Sequence, residues 1–393
     1  QPGAVTRRTP LLFALTLVIA AFAAGCAGSS SGGDAEAANP SIADLEGQVS
    51  FNPFGWQTDF TNHSVPLGEL ISGGPPRDGI PPLDAPRFLP IGEEPIDDRE
   101  PVIAVRVGDT ARAYPLQVMI WHEIVNDQIG DLKLAVTFCP LCQTSVAFNR
   151  VVDGRELTFG TTGNLRKSDL VMWDRQTESW WQQFSGEAIV GELTGTRLEI
   201  VPSQLISFGG FRERFPDGDV LSRDTGHDRE YGSNPYLGYD DLDNPPFLLD
   251  EEVDGRLPPK QRVVTLERGE SFVVYPLNRI EEANVVNDKV EDLSVVVWFR
   301  PGAASALGAR EIAEGNQVGT GVVYDRTAAG RTLTFAPAES DTLRDEQTGS
   351  TWNQNGEAID GPLDGTRLKE VAHDVPFWFA VAAFRPDARI YEP

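Results

Sequence analysis

The chain repeats itself, and that feature limits its folding more than any single motif. Ala113-Tyr-Pro-Leu116, followed by Val125-Asn-Asp127, returns as Val274-Tyr-Pro-Leu277 followed by Val286-Asn-Asp288, with the same internal spacing. The stretch Gly186 to Leu198 returns as Gly356 to Leu368 with ten of thirteen positions identical. Between these anchors Asp174 answers to Asp345 and Trp181 to Trp352. Two copies of one plan must both fold, so the residues they share are read as framework. We expect two related stretches, 76–225 and 258–393. They are joined by residues 226–257, rich in Gly, Pro, Asp and Asn as a long connection should be. The length of 393 residues, beyond what one core usually serves, agrees with two units.

The expected fold is mainly β with a few short helices, an α+β chain. Val102–Val107, Leu132–Phe138, Ser145–Asn149 and Leu157–Gly160 carry β-branched and aromatic residues between turn signals such as Gly108-Asp109 and Asp153-Gly154. A helix is expected over Pro115–Val125, with Pro at its start. Two more are expected over Ser203–Phe215 and Asp374–Phe384. Whether each stretch is a barrel or a sandwich is not decided by periodicity.

The N-terminus reads as an export signal. Arg7 and Arg8 precede Leu11 to Ala24, fourteen mostly apolar residues. That run is short of the ~20 a membrane span takes, and fits the apolar core of a signal peptide. Ala23-Ala24-Gly25-Cys26 then resembles the lipobox of bacterial lipoproteins. The expectation is a signal over 1–25, lipid on Cys26, a tether and lead-in over 26–75, and a chain held at a membrane outside the cytoplasm through that lipid. A net charge of −26 excludes nucleic acid as a partner, because phosphate binding needs a positive patch.

The two stretches differ where chemistry is carried. Cys139 and Cys142, in Cys-Pro-Leu-Cys, stand opposite Arg300 and Ala303 in the second stretch. His122 stands opposite Ala283, Met172 opposite Leu343, and Trp121 opposite Glu282. Framework residues such as Pro140 and Pro301 persist while both Cys, the His and the Met vanish together. Residues needed for folding should occur twice, whereas residues of a site need occur once. Two thiolates, an imidazole and a thioether are soft or borderline donors that suit copper, copper(I) above all, with zinc as the alternative. The expected site is therefore Cys139, Cys142, His122 and Met172, with Trp121, Asp169, Trp173, Arg175 and His227 as candidate pocket residues.

Each candidate also has a plainer explanation. Cys139 and Cys142 could be a structural disulfide, His122 a satisfied core histidine, and Met172 simple packing. The Cys pair without metal could cycle between dithiol and disulfide, although it lacks the strand-then-helix setting of a thioredoxin motif. A third possibility is a non-enzymatic, lipid-anchored scaffold that uses the pair as a staple. No nucleophile elbow, phosphate loop or dinucleotide fingerprint is present.

Trp121-His-Glu-Ile-Val-Asn-Asp127, Thr137-Phe-Cys-Pro-Leu-Cys142, Ser168-Asp-Leu-Val-Met-Trp-Asp-Arg-Gln-Thr-Glu-Ser179 and Leu221-Ser-Arg-Asp-Thr-Gly226 together resemble the domain of unknown function 3179 family. That family comprises secreted proteins and lipoproteins of bacteria and archaea. The resemblance is strong over about residues 75–250 and weaker beyond. It implies an extracytoplasmic setting, and marks Cys139, Cys142 and His122 as hallmark positions without implying an activity. The chain departs from the motif at Gln143, where the family carries Gly, which bears on the turn.

Overall fold

The first stretch begins with two strands, Pro101–Val107 and Thr110–Pro115, paired antiparallel across Gly108-Asp109. Their β-branched and alanine side chains leave both faces coverable, and both faces are covered. The computed structural model in which these elements are seen describes Leu45 and residues 49–392. The apolar leader, Cys26 and most of the tether lie outside the described residues. The chain is mainly β, and its described α-helices run seven residues each.

The helix expected over Pro115–Val125 is Leu116–His122. It stops because Glu123 adopts φ 58 and gives its N–H to Met119 O, after which Ile124–Ile129 joins a sheet. In that sheet Leu132–Cys139 lies between Ile124–Ile129 and Thr144–Asn149. The Cys-Pro-Leu-Cys segment is therefore the end of a strand and the tight turn after it. The strand expected over Leu157–Gly160 is Phe159–Arg166. It pairs with Asp169–Asp174 across Lys167-Ser168, whose φ values of 53 and 62 are those of a two-residue hairpin turn.

The two later helices start later than their sequence patterns imply. Ser203–Ser207 is a strand on Pro101–Val105, and only Phe208–Arg214 is helical. Ser207 forces the switch: its Oγ accepts the N–H of Gly210 and caps the helix. Likewise Trp378–Phe384 is helical, while Phe377 before it is extended. The connection 226–257 contains no helix or strand beyond a single bridge from Ser233 to Glu311. Its Tyr231, Tyr236, Tyr239 and Leu249 pack on the core of the first stretch.

Residues 263–300 pass through strand, strand, seven-residue helix, strand and strand, the same order as residues 101–139. The terminal helices cross between the stretches. Phe208 and Phe211 pack with Val296, Trp298 and Tyr324 of the second stretch, whereas Phe377, Phe379 and Ala380 enter the cluster that holds Cys139 and Cys142. Burying each such large apolar side chain contributes roughly 1.5–3 kcal/mol. The second stretch therefore closes over the end of the Leu132–Cys139 strand, which fixes the surroundings of the two thiols.

Candidate functional site

Cys139 ends its strand paired with Thr144, and Cys142 lies inside the connecting turn, so both sulfurs fall on one side of a tight reversal. Neither is in a disulfide, and both are buried. Asp169, first residue of its strand, is brought to them by the Lys167-Ser168 hairpin turn. One side-chain donor atom from each of Cys139, Cys142 and Asp169 lies within 4.8 Å of the other two. The Cys142 thiol donates to Asp169 Oδ1 at 2.9 Å. Asp169 Oδ2 accepts from Gln182 Nε2 at 2.5 Å and from the Phe184 N–H at 3.0 Å. From the other side, Phe377 N–H donates to Cys142 O at 2.9 Å, and Asp374 accepts from the Ser145 N–H and hydroxyl.

Burial dominates the electrostatics. It pushes both thiols above their ordinary value and Asp169 up to about 6. Glu123, next to this group, is pushed up to about 8 by burial and then by the charge of Asp169. Four acidic groups thus share one buried region and resist ionising together. Lys260, drawn down to about 7 by burial, lies over the Tyr239 ring and donates to Tyr239 O.

Glu123 was not singled out from sequence. Its Cα occupies left-handed backbone space, which costs a non-glycine residue of order 1 kcal/mol. It lines a pocket of about 290 Å³ together with Leu141, Leu165, Leu170, Tyr236, Tyr239 and Phe247. The signal available in the sequence was its counterpart in the second stretch, Asn284. That residue has φ 62, and asparagine tolerates this region far better than glutamate.

The other sequence candidates lie elsewhere. His122 is buried, its Nδ1 bonded to Pro81 O at 2.7 Å and its Nε2 to the Tyr231 hydroxyl at 2.6 Å. Burial pulls it down to about 4, so it is a neutral ring with both nitrogens engaged. The His227 ring lies tilted beside it, ring centres 5.2 Å apart, and lines a separate pocket with Asp84 and Thr225. Met172, three residues along the strand from Asp169 and so on its other face, pairs with Thr161 and Trp181 and packs in the same buried cluster as Cys139 and Cys142. Trp173 donates to Asp78 and lies under the Arg77 guanidinium, while Arg175 pairs with Asp78 and Asp84. Trp121 is half-buried against the first core, its indole N–H without a partner among the described residues.

The second stretch offers nothing equivalent to the thiol group. At the position of Cys139 it has Arg300, buried, whose guanidinium contacts Asn355. Between Arg300 and the strand partner Thr320 the short Cys-Pro-Leu-Cys turn is replaced by residues 301–319. The hairpin that carries Asp169 is also shorter there: Phe335 pairs with Asp345, ten positions on, where Phe159 pairs with Asp174, fifteen positions on. Asp169 belongs to the missing tip.

The family described as protein of unknown function (DUF3179) matches residues 77–388. The chain belongs to that family. No curated protein and no solved structure matches it. The family match runs through both stretches, further than the motifs of the first stretch alone implied. The departure from the family pattern at Gln143 falls on backbone with φ 60, and its Oε1 is buried without a partner among the described residues. Gly319 holds the same place before Thr320, with φ 63. Glycine is the residue that such a turn favours.

Proposed function

We propose that Cys139, Cys142 and Asp169 bind one metal ion, in a lipoprotein anchored outside the cytoplasm through Cys26. The observation that carries this reading is the convergence of three buried ionisable donors within 4.8 Å of one another, none with an equivalent in the second stretch. The donors release their protons when a cation enters, and a dication turns mutual repulsion into attraction. Two thiolates and a carboxylate favour zinc. The hard carboxylate beside the two thiolates favours zinc over copper(I), which is suited by an all-sulfur set. Three protein ligands with a fourth position open is the pattern of catalytic zinc sites. The bonds from Gln182 and Phe184 to Asp169 would orient the carboxylate, as second-layer contacts do.

A second reading, dithiol–disulfide exchange between Cys139 and Cys142, is favoured by the Cys142–Asp169 hydrogen bond. With a partner disulfide as oxidant, Asp169 would take the Cys142 proton as that sulfur attacks the partner; Cys139 would then resolve the mixed disulfide, and the partner would leave as a dithiol. We also infer that residues 258–393 are a degenerate copy of 76–225, kept because its terminal helix covers the thiols. Matching bonds support that inference: Asn126 clamps Phe159 as Asn287 clamps Phe335.

The test is metal content and thiol count on the mature chain with Cys26→Ser, purified without chelator. About one zinc per chain is expected, lost in the Cys139→Ser/Cys142→Ser double variant and kept in His122→Gln. Unchanged metal in the double variant would sink the reading. Absence of both metal and free thiols would favour the second.

A further inference from the structure

The pocket beside the thiols has a composition unlike theirs. Its walls are leucines, Ile80, two tyrosines and Phe247, and its volume of about 290 Å³ is connected to solvent. By the ~30 Å³ that a water occupies, it has room for about ten non-hydrogen atoms. Such pockets, mostly apolar with a few convergent polar groups, are the usual form of a small-molecule site.

Two polar groups converge in it. Glu123 is 6 % exposed, yet its carboxyl makes no hydrogen bond to any described residue. The Tyr236 hydroxyl, in the same lining, makes none either. Both groups open onto the cavity rather than into the core. Glu123 also holds positive φ, where the second stretch has Asn284, a residue that takes such backbone more readily. A carboxyl and a hydroxyl without protein partners, set facing an apolar cavity, point to a partner that arrives from outside.

We propose that this pocket binds a small uncharged alcohol or phenol, its apolar body among Leu141, Leu165 and Leu170 and its hydroxyl between Glu123 and Tyr236. A hydroxyl both donates and accepts, so it serves Glu123 in either protonation state. An anionic ligand would face Glu123 and Asp169 together. The pocket adjoins the turn between the two thiols through Leu141, and a role for the ligand at the proposed metal centre rests on that reading. Binding itself does not require the metal.

The experiment is calorimetric titration of the mature chain with Cys26→Ser by 2-phenylethanol. It is compared with propylbenzene, which replaces the hydroxyl by a methyl at equal size, and with phenylacetate. The expected result is binding of 2-phenylethanol about tenfold tighter than propylbenzene and none of phenylacetate. Glu123→Leu erases the preference, and Leu165→Trp, which fills the pocket, abolishes binding of both. The preference survives in Cys139→Ser/Cys142→Ser, so failure of the metal reading and failure of this one are told apart. Equal affinity for 2-phenylethanol and propylbenzene, no binding at all, or an unchanged preference in Glu123→Leu overturns the proposal. If Glu123→Leu does not fold, Tyr236→Phe takes its place: a reduced preference is expected, and an unaltered one overturns the proposal.

Discussion

Residues 101–174 and 263–345 make the same bonds with the same residue types. Asn126 clamps Phe159 by both its N–H and carbonyl at 2.9 and 2.8 Å, and Asn287 clamps Phe335 at 2.8 Å on each side. The Tyr114 hydroxyl donates to Asp127, and that of Tyr275 to Asp288. Trp181 Nε1 meets Asp174 Oδ2 at 2.9 Å, and Trp352 Nε1 meets Asp345 Oδ2 at 3.0 Å. The chemically distinctive differences lie at the end of the Leu132–Cys139 strand and its counterpart Leu293–Arg300. There the first stretch places two thiols, two buried carboxyls and a pocket, and the second places an arginine and a long loop. The second stretch forms its sheet with neither a Cys pair nor a glutamate at the place of Glu123.

The comparison can be pressed at its most expensive point first. Exchanging Glu123 for the residue of the second stretch, Glu123→Asn, should stabilise the metal-free protein, and by more at high pH. The carboxyl titrates at about 8 in the folded chain against 4.5 unfolded, so the stability it contributes is whole below pH 4.5 and is lost as pH rises through 8. Urea melts should show a gain of about 1 kcal/mol at pH 4, from relieved backbone strain, and of several kcal/mol at pH 9. An equal gain at both values would mean that the carboxyl is not held in an apolar setting. The reverse exchange, Asn284→Glu, should cost about 1 kcal/mol at either pH, because that site is more open.

A smaller effect is expected where one stretch covers the other. Asp374→Ala leaves the Ser145 N–H and hydroxyl without their acceptor beside the Cys turn, and should lower stability by about 1–3 kcal/mol. If the second stretch serves to close the site, the variant should also speed the reaction of Cys142 with a thiol reagent. An unchanged rate would make the second stretch a passive neighbour.

The smallest effect concerns the turn. Gln143→Gly, matching Gly319, should raise the urea midpoint by an amount equivalent to about 1 kcal/mol, since it relieves positive φ and removes a buried amide oxygen. The exchange is not symmetric. A Cβ on Gly319 would come within 2.4 Å of the Phe299 ring, so Gly319→Ala should be clearly destabilising. A neutral Gly319→Ala would show that the two turns are less alike than their dihedral angles.

The parts legible in the sequence were those that repeat or are local. The Tyr-Pro-Leu and Val-Asn-Asp segments were visible as framework because both stretches need the same bonds. The β character followed from branched and aromatic residues between turns. The helix boundaries at Ser203 and Asp374 were misplaced because their apolar patterns suit an extended segment followed by a helix as well as one helix; pairing with Pro101–Val105 decides the first, and bridges to Thr265 and Arg262 the second.

For the site, the sequence by itself determined that Cys139 and Cys142 lie side by side, because only two residues and one turn separate them. It also located the site in the first stretch, by the absence of both from the second. What stands beside them was decided only by tertiary structure. Asp169 arrives through hairpin register, Glu123 through a left-handed residue at a helix end, and the cover through Phe377 and Asp374 from more than two hundred residues away. His122 carried a suitable donor but was directed elsewhere, by hydrogen bonds to Pro81 and Tyr231. Donor chemistry is a property of residue type and can be read along the chain. Convergence of donors depends on pairing register and packing, which no single segment encodes.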